Sequence, residues 1–144
     1  MIDLLLFIKK KKNFDIVIPH SKFNTKNDHS AVKIYSDKNN QIIYMSRNDI
    51  PYNFYKKKMF LKRHQDFISF KKKSLIKFSK FSQSYLENLE GIELLRALEN
   101  KMHLGTFKIT DDNPVSSINT KKDYINGKKR MKFDLIKKKY SFKS

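Results

Sequence analysis

The sequence is poor in the residues that most enzymes and secreted domains lean on: it has no cysteine, no tryptophan, three glycines and three prolines in 144 residues. Each shortage closes off a class. Without cysteine there can be neither disulfides nor thiolate metal sites, and redox compartment is left open. With so few glycines there is no Gly-x-Gly-x-x-Gly and no glycine-rich phosphate loop. Long apolar runs are missing too. A membrane span needs about 20 apolar residues, whereas "MIDLLLFIKKKK" is a short run followed by lysines, the reverse of a secretory signal. Asp3 and the lack of nearby arginine also speak against a transit peptide. Acidic residues are scarce: 14 against 32 Lys and Arg, a formal net charge of +18.

What is present is aromatic and cationic. Twelve Phe and seven Tyr need a place to be buried, so a folded centre with charged extensions is expected rather than a disordered polycation. One compact domain fits the length. A charge surplus of this size repels itself and persists when a polyanion neutralises it. Nucleic acid is the first candidate and an anionic membrane the second. Lysine outnumbers arginine 28 to 4, a bias that AT-rich codon usage would also produce, so lysine abundance is weaker evidence than the same charge made of arginine.

The charge is unevenly placed. Residues 56–77 carry nine Lys or Arg against Asp66, and 119–144 carry ten against Asp123 and Asp134, while 87–112 is close to ordinary surface. Residues 1–13 therefore read as a basic N-terminal extension, 14–118 as one α/β domain and 119–144 as a basic C-terminal tail. Phe14 to Ile18 predicts a short strand. Val32–Ser36 and Gln41–Ser46, around Asp37-Lys38-Asn39-Asn40, predict an antiparallel hairpin. Tyr52 to Phe70, with aromatics spaced mostly by three or four, predicts a basic amphipathic helix, and Ser74 to Phe81 a strand. In "NLEGIELLRALENKMHLG", Gly91, Leu94, Leu95, Leu98 and Met102 share one helical face, with Gly105 at its end. Thr106–Thr110 alternates as a strand with Phe107 and Ile109 inward, and Pro114 stops it. The expected fold class is α/β (mixed α+β): a mixed five-stranded sheet with two packed helices.

Several of these stretches resemble the universal small-subunit ribosomal protein eleven family, in a divergent organellar form. Ser21, Phe23, Asn24 and Thr25 fit its Ser-Phe-Asn-Asn-Thr element; Asp37, Asn40 and Ser46 fit its hairpin. Leu95-Arg96-Ala97-Leu98 and "ITDDNPVSSINTKK" fit its second helix and the turn that starts its tail. The family's glycine-rich loops are replaced by "SRNDIPYNFYKKK" and "SQSYLENLEG". The resemblance implies a non-enzymatic constituent of a mitochondrial small ribosomal subunit, binding small-subunit rRNA on the platform with neighbouring small-subunit proteins and mRNA nearby, without membrane, metal or cofactor. A lineage-specific basic nucleic-acid-binding protein or a degenerate nuclease is the alternative.

On that reading the RNA contacts are Lys56, Lys57, Lys58, Lys62 and Arg63 in the first basic stretch, and Asn113, Lys121, Lys122, Asn126, Lys128, Lys129, Arg130 and Lys132 in the tail. They would neutralise phosphates and release counterions; a solvated lysine face is the plain alternative for each. Phe133, Tyr140 and Phe142 would stack on bases or, better, pack on a neighbouring protein. Leu4–Ile8 would dock on a partner. Asp28-His29 with His20 and Asp37 lacks metal-ligand spacing and reads as turn residues. Glu87, Glu90 and Glu93 read as helix capping and surface rather than a catalytic pair.

Overall fold

The computed structural model describes residues 13–24, 27–57, 59–109 and 121–131. Contacts divide the chain into two units, residues 1–112 and 113–144.

The first unit is organised around β1 (Ile16–Phe23), whose burial is nearly continuous from Ile16 to His20. A strand buried on both faces must have partners on both edges, and β1 does. On one edge it pairs in parallel with β6 (Leu104–Lys108), in the register Ile16↔Leu104 to His20↔Lys108. The other edge is shared: β4 (Leu61–His64) is antiparallel to residues 20–23, and β5 (Ser69–Phe70) is antiparallel to Ile16 and Val17. β4 also pairs with β2 (Lys33–Ser36), and β2 with β3 (Ile42–Ser46). The result is a six-stranded mixed sheet. A single bridge between Gln41 and Gly105 ties the turn end of the β2–β3 hairpin back to β6.

The mixed α/β class is as the sequence predicts, as are β1, the hairpin and the strand into Lys108. Three elements differ. No helix runs from Tyr52 to Phe70: the amides and carbonyls of residues 61–64 are taken by the ladders to β1 and β2, and ladder bonding overrides an aromatic spacing of three to four. Conversely, Ser74–Phe81 is not a strand; its first part is in α1 (Lys72–Phe78), which buries Ser74 and sends the Ser74 hydroxyl to Asp15 Oδ1 at 2.8 Å. The single helix expected beyond Asn88 is two. Gly91, at φ +62°, ends α2 (Tyr85–Glu90), and α3 (Leu94–Glu99) starts afresh. Gly105 is no helix cap but a residue of β6. With α4 (Lys121–Met131) in the second unit, the described residues hold four helices and six strands rather than two and five.

Strand alternation sorts the core. Ile16 and Ile18 of β1, Ile34 of β2, Met45 of β3 and Leu104 of β6 pack against Ile92, Leu94, Leu95 and Ala97, so α3 covers one sheet face. Val17 and Phe107 point the other way and close over Phe14. Asp15 locks the strand starts: its carboxylate accepts from the His103 amide (3.0 Å) and the Ser74 hydroxyl, and its carbonyl from the Lys71 amide (3.0 Å). Burial opposes the charge on Asp15, but these hydrogen bonds, with Lys71 and His103 nearby, hold its pKa below the usual carboxylate value.

Gly105 is required by space rather than by conformation. A Cβ there would lie 2.2 Å from Phe14 Cδ2. Gly105→Ala is expected to lower stability by about 1–3 kcal/mol, as overpacking does, and pairing it with Phe14→Leu should recover part of the loss. Urea denaturation of the single and double variants checks this.

Candidate active-site cleft

Two polar groupings stand out, one on each face of the sheet. The first is centred on Lys33, whose side chain is fully buried at the start of β2. Its ammonium donates to the carbonyls of Asp28 (2.5 Å) and Arg47, and forms an ion pair with Asp49 at 3.3 Å. Arg47, just past β3, spreads its guanidinium over carbonyls: Nε donates to Glu90 O at 2.8 Å, and the terminal nitrogens to His29 (3.2 Å), Ser30 (3.4 Å) and Gly91 (3.3 Å). The Glu90 carboxylate answers by accepting from the Ser46 hydroxyl (2.7 Å) and the Arg47 amide (2.9 Å). The Tyr35 hydroxyl completes the loop, donating to Asn48 O and accepting from the Ile50 amide, both at 2.9 Å.

The second grouping belongs to β1, β4 and β6. Cross-strand partners share a face, so the pairs His20↔His64, Lys22↔Lys62 and His20↔Lys108 put these five side chains on the side of Ile16 and Ile18. His20 Nδ1 lies 2.8 Å from Thr106 Oγ1, and that hydroxyl donates to Ile18 O at 2.8 Å, so the imidazole is the donor in the pair. Burial first, then the Lys62 and Lys108 charges, lower the His20 pKa to about 4. His64 is lowered as well, by burial, against the opposing pull of Asp66 and Glu93. Its Nε2 is buried and has no hydrogen-bond partner. An imidazole nitrogen buried without a partner is a polar group whose hydrogen bond is left unfilled. Among the described residues no three His, Asp or Glu side chains converge as metal ligands.

The residues singled out in the sequence are scattered. Lys62 and Arg63 sit on β4, half-buried and on opposite faces; Lys56 and Lys57 are exposed before it, and Lys57 stands over the Tyr55 ring. Lys121, Lys122, Asn126, Lys128, Lys129 and Arg130 fall on α4 of the second unit, with Lys121, Asn126, Lys128 and Lys129 exposed. Lys58, Asn113, Lys132, Phe133, Tyr140, Phe142 and Leu4–Ile8 lie outside the described residues. Asp28 does form a turn, accepting from the Ser30 amide (3.0 Å) and hydroxyl (2.6 Å). Glu87 does cap α2, its carboxylate accepting from the Ser84 amide at 3.2 Å, but it is buried rather than surface and is ion-paired with Arg96 at 2.7 Å. Lys33, Arg47 and His64 carry no signal of their own in the sequence, and Glu90, expected as capping and surface, instead binds the end of β3. His64 falls inside the wrongly expected helix, Ser46 reads only as the end of a hairpin strand, and Arg47 only as part of a departure from another family's loop.

A mixed sheet whose parallel pair ends in a cluster of imidazoles and ammoniums is an α/β ligand-binding scaffold. The family model described as Cytidylyltransferase matches residues 8–105, and the chain belongs to that family. It is 35% identical over 126 residues to a 3-deoxy-manno-octulosonate cytidylyltransferase of Rickettsia prowazekii, covering 86% of this chain and 48% of that protein. A protein of the same name from Thermodesulfovibrio yellowstonii is 32% identical over 109 residues, 69% of this chain and 43% of its own. The chain thus spans about half the length of the curated relatives it matches. The solved CMP:2-keto-3-deoxy-manno-octonic acid synthetase complexed with CTP superposes with a TM-score of 0.83 at 20% identity, over 92% of this chain and 55% of that one, a match of fold.

These findings overturn the ribosomal reading. The family is one of enzymes, so the non-enzymatic assignment, the rRNA, mRNA and ribosomal-protein partners and the nuclease alternative all fall with it. The relatives are bacterial, which removes the mitochondrial placement. The likeness misled for a physical reason: a hairpin with an Asp/Asn turn, a Leu-Arg-Ala-Leu helix and a final strand are generic to mixed sheets, and none is tied to a chemistry.

His20 gives a test by pH. Its folded pKa lies below the unfolded 6.5, so the unfolded chain binds more protons between the two values and stability falls as pH drops from about 6.5 to about 4. The loss should reach about 3 kcal/mol, with His64 adding in the same direction. Denaturation midpoints across this range should show it, and His20→Gln should flatten the curve.

Proposed function

We propose that this chain works in a cytidylyltransferase that joins CMP from CTP to 3-deoxy-manno-octulosonate or a closely similar sugar acid. The observation that carries the reading is the 35% identity across 86% of the chain to a protein of that name. In such a transfer a hydroxyl oxygen of the sugar acid attacks the α-phosphorus of CTP, the bond to the β-phosphate breaks, pyrophosphate leaves, and the hydroxyl proton is lost.

The His64 end of the sheet suits the sugar-acid side of that reaction. The acceptor is an acid bearing several hydroxyls, and the unpartnered Nε2 of His64 offers a hydrogen bond to one of its oxygens. Glu93, close enough to act on the His64 charge, is exposed and can hold a hydroxyl. Arg47 and Glu90 fix the wall rather than touch the ligand, since the guanidinium hydrogen-bonds to backbone carbonyls and the carboxylate to the Ser46 hydroxyl and Arg47 amide.

Two measurements test this. Pyrophosphate release should require both CTP and the sugar acid, and calorimetry should detect sugar-acid binding; a chain that does neither defeats the reading. His64→Ala should raise the KM for the sugar acid by about tenfold, as loss of one hydrogen bond of about 1.4 kcal/mol would, leaving the KM for CTP nearly unchanged.

A further inference from the structure

We infer that the outer face of α1 rests on an anionic membrane surface, its lysines on lipid phosphates and Leu75 and Ile76 among the acyl chains. The inference stands on α1 itself and does not depend on the cytidylyltransferase reading.

The helix is divided by its own periodicity. Ser74 and Phe78, four residues apart, share the inner face: the Ser74 hydroxyl reaches Asp15, and Phe78 packs on the core and against Phe70 and Phe81, ring centres 5.4 and 6.4 Å away. Lys72 and Ile76, again four apart, head the opposite face, with Lys73 and Lys77 on one side of them and Leu75 on the other, and all five are exposed. The turn that follows continues the helical hydrogen bonding. The Ser79 amide donates to Leu75 O at 2.9 Å and the Lys80 amide to Lys77 O at 3.2 Å, so Lys80 extends the row of Lys72 and Ile76.

Neither the charges nor the apolar pair is explained by the fold. Lys72 and Lys73 occupy the first turn, which holds no acid, and the helix dipole opposes cations there. Among the described residues Lys72, Lys73, Lys77 and Lys80 form no ion pair; Lys77 stands 5.9 Å from the centre of the Phe81 ring. Leu75 and Ile76 are 48% and 51% exposed, although Phe78 on the same helix packs on the core.

Whatever covers this face must satisfy four ammoniums and two aliphatic side chains at once. A polynucleotide offers phosphates and stacking bases, which are met by aromatic or guanidinium groups, and this face presents neither. An anionic bilayer offers phosphates with hydrocarbon just beneath them. Lysine stems lie along the apolar boundary while their ammoniums reach the headgroups, and Leu75 and Ile76 enter the acyl edge. Two aliphatic side chains give a shallow, reversible contact that needs the charges as well.

Sedimentation of the full chain with vesicles is the test. The chain should bind equimolar phosphatidylglycerol and phosphatidylcholine but not phosphatidylcholine alone, and added salt should release it. Lys72→Gln, Lys73→Gln, Lys77→Gln, Lys80→Gln should weaken binding by about tenfold or more, and Leu75→Ser, Ile76→Ser by about fivefold. Lys56→Gln, Lys57→Gln, Lys128→Gln, Lys129→Gln removes the same charge from exposed lysines elsewhere and should change it by less than about twofold. The chain has no tryptophan, so Ile76→Trp gives a single fluorophore whose emission should move to the blue on the anionic vesicles. No binding to those vesicles, equal weakening in the distant-lysine control, or an unshifted Ile76→Trp would overturn the inference. So would full binding by the Leu75→Ser, Ile76→Ser variant, since charge alone would then suffice and the lysines would answer to any polyanion, nucleic acid included.

Discussion

Lys33 is the constraint that holds the β2–β3 end of the sheet together. A fully desolvated ammonium needs acceptors and a counter-charge around it, and here they come from chain far apart in sequence: the carbonyls of Asp28 and Arg47 accept from it, and the Asp49 carboxylate pairs with its charge. Satisfying one cation therefore fixes both the loop entering β2 and the loop leaving β3. Arg47, positioned by its own carbonyl, then reaches across to Glu90 O and Gly91 O and ties the end of α2 to the sheet. The bracket is mutual, since the Glu90 carboxylate returns hydrogen bonds to Ser46 and Arg47.

β1 supplies the second organising element. Its first half is apolar and sandwiched, its second half polar, so the sheet passes from core to cleft along a single strand. Because β6 is parallel to β1 and β4 antiparallel, the polar residues of all three reach the same end and face: His20 and Lys22, Lys108, Lys62 and His64. The site is thus a by-product of register. Shifting β4 by one residue would turn His64 away and bring Arg63 into its place.

The strands were the legible part of the fold. Val32–Ser36 and Gln41–Ser46 flank Asp37 and Asn40, whose turn is held by local hydrogen bonds: Asn39 and Gln41 amides to Asp37 Oδ1, both 2.8 Å. Such information is carried within ten residues and can be read from them. The stretch from Tyr52 to Phe81 was illegible because its conformation is imposed from outside: β4 is a strand since β1 and β2 flank it, and α1 is a helix although Ile76 and Leu75 suggest a strand. The site was harder still. His64 and Glu90 are unremarkable alone; they acquire meaning when His64 is seen buried without a partner and Glu90 bound to the end of β3.

The sequence alone determined the local matters: a cationic, cysteine-free chain with a β-hairpin, a strand into Lys108 and a helix-rich stretch before it, because charge, turn chemistry and periodicity act between near neighbours. Tertiary structure decided which charges are buried and which imidazoles meet. Those outcomes depend on strand pairing across gaps such as that between His20 and Thr106, and a pairing over that distance leaves no mark on either residue's neighbours in the chain.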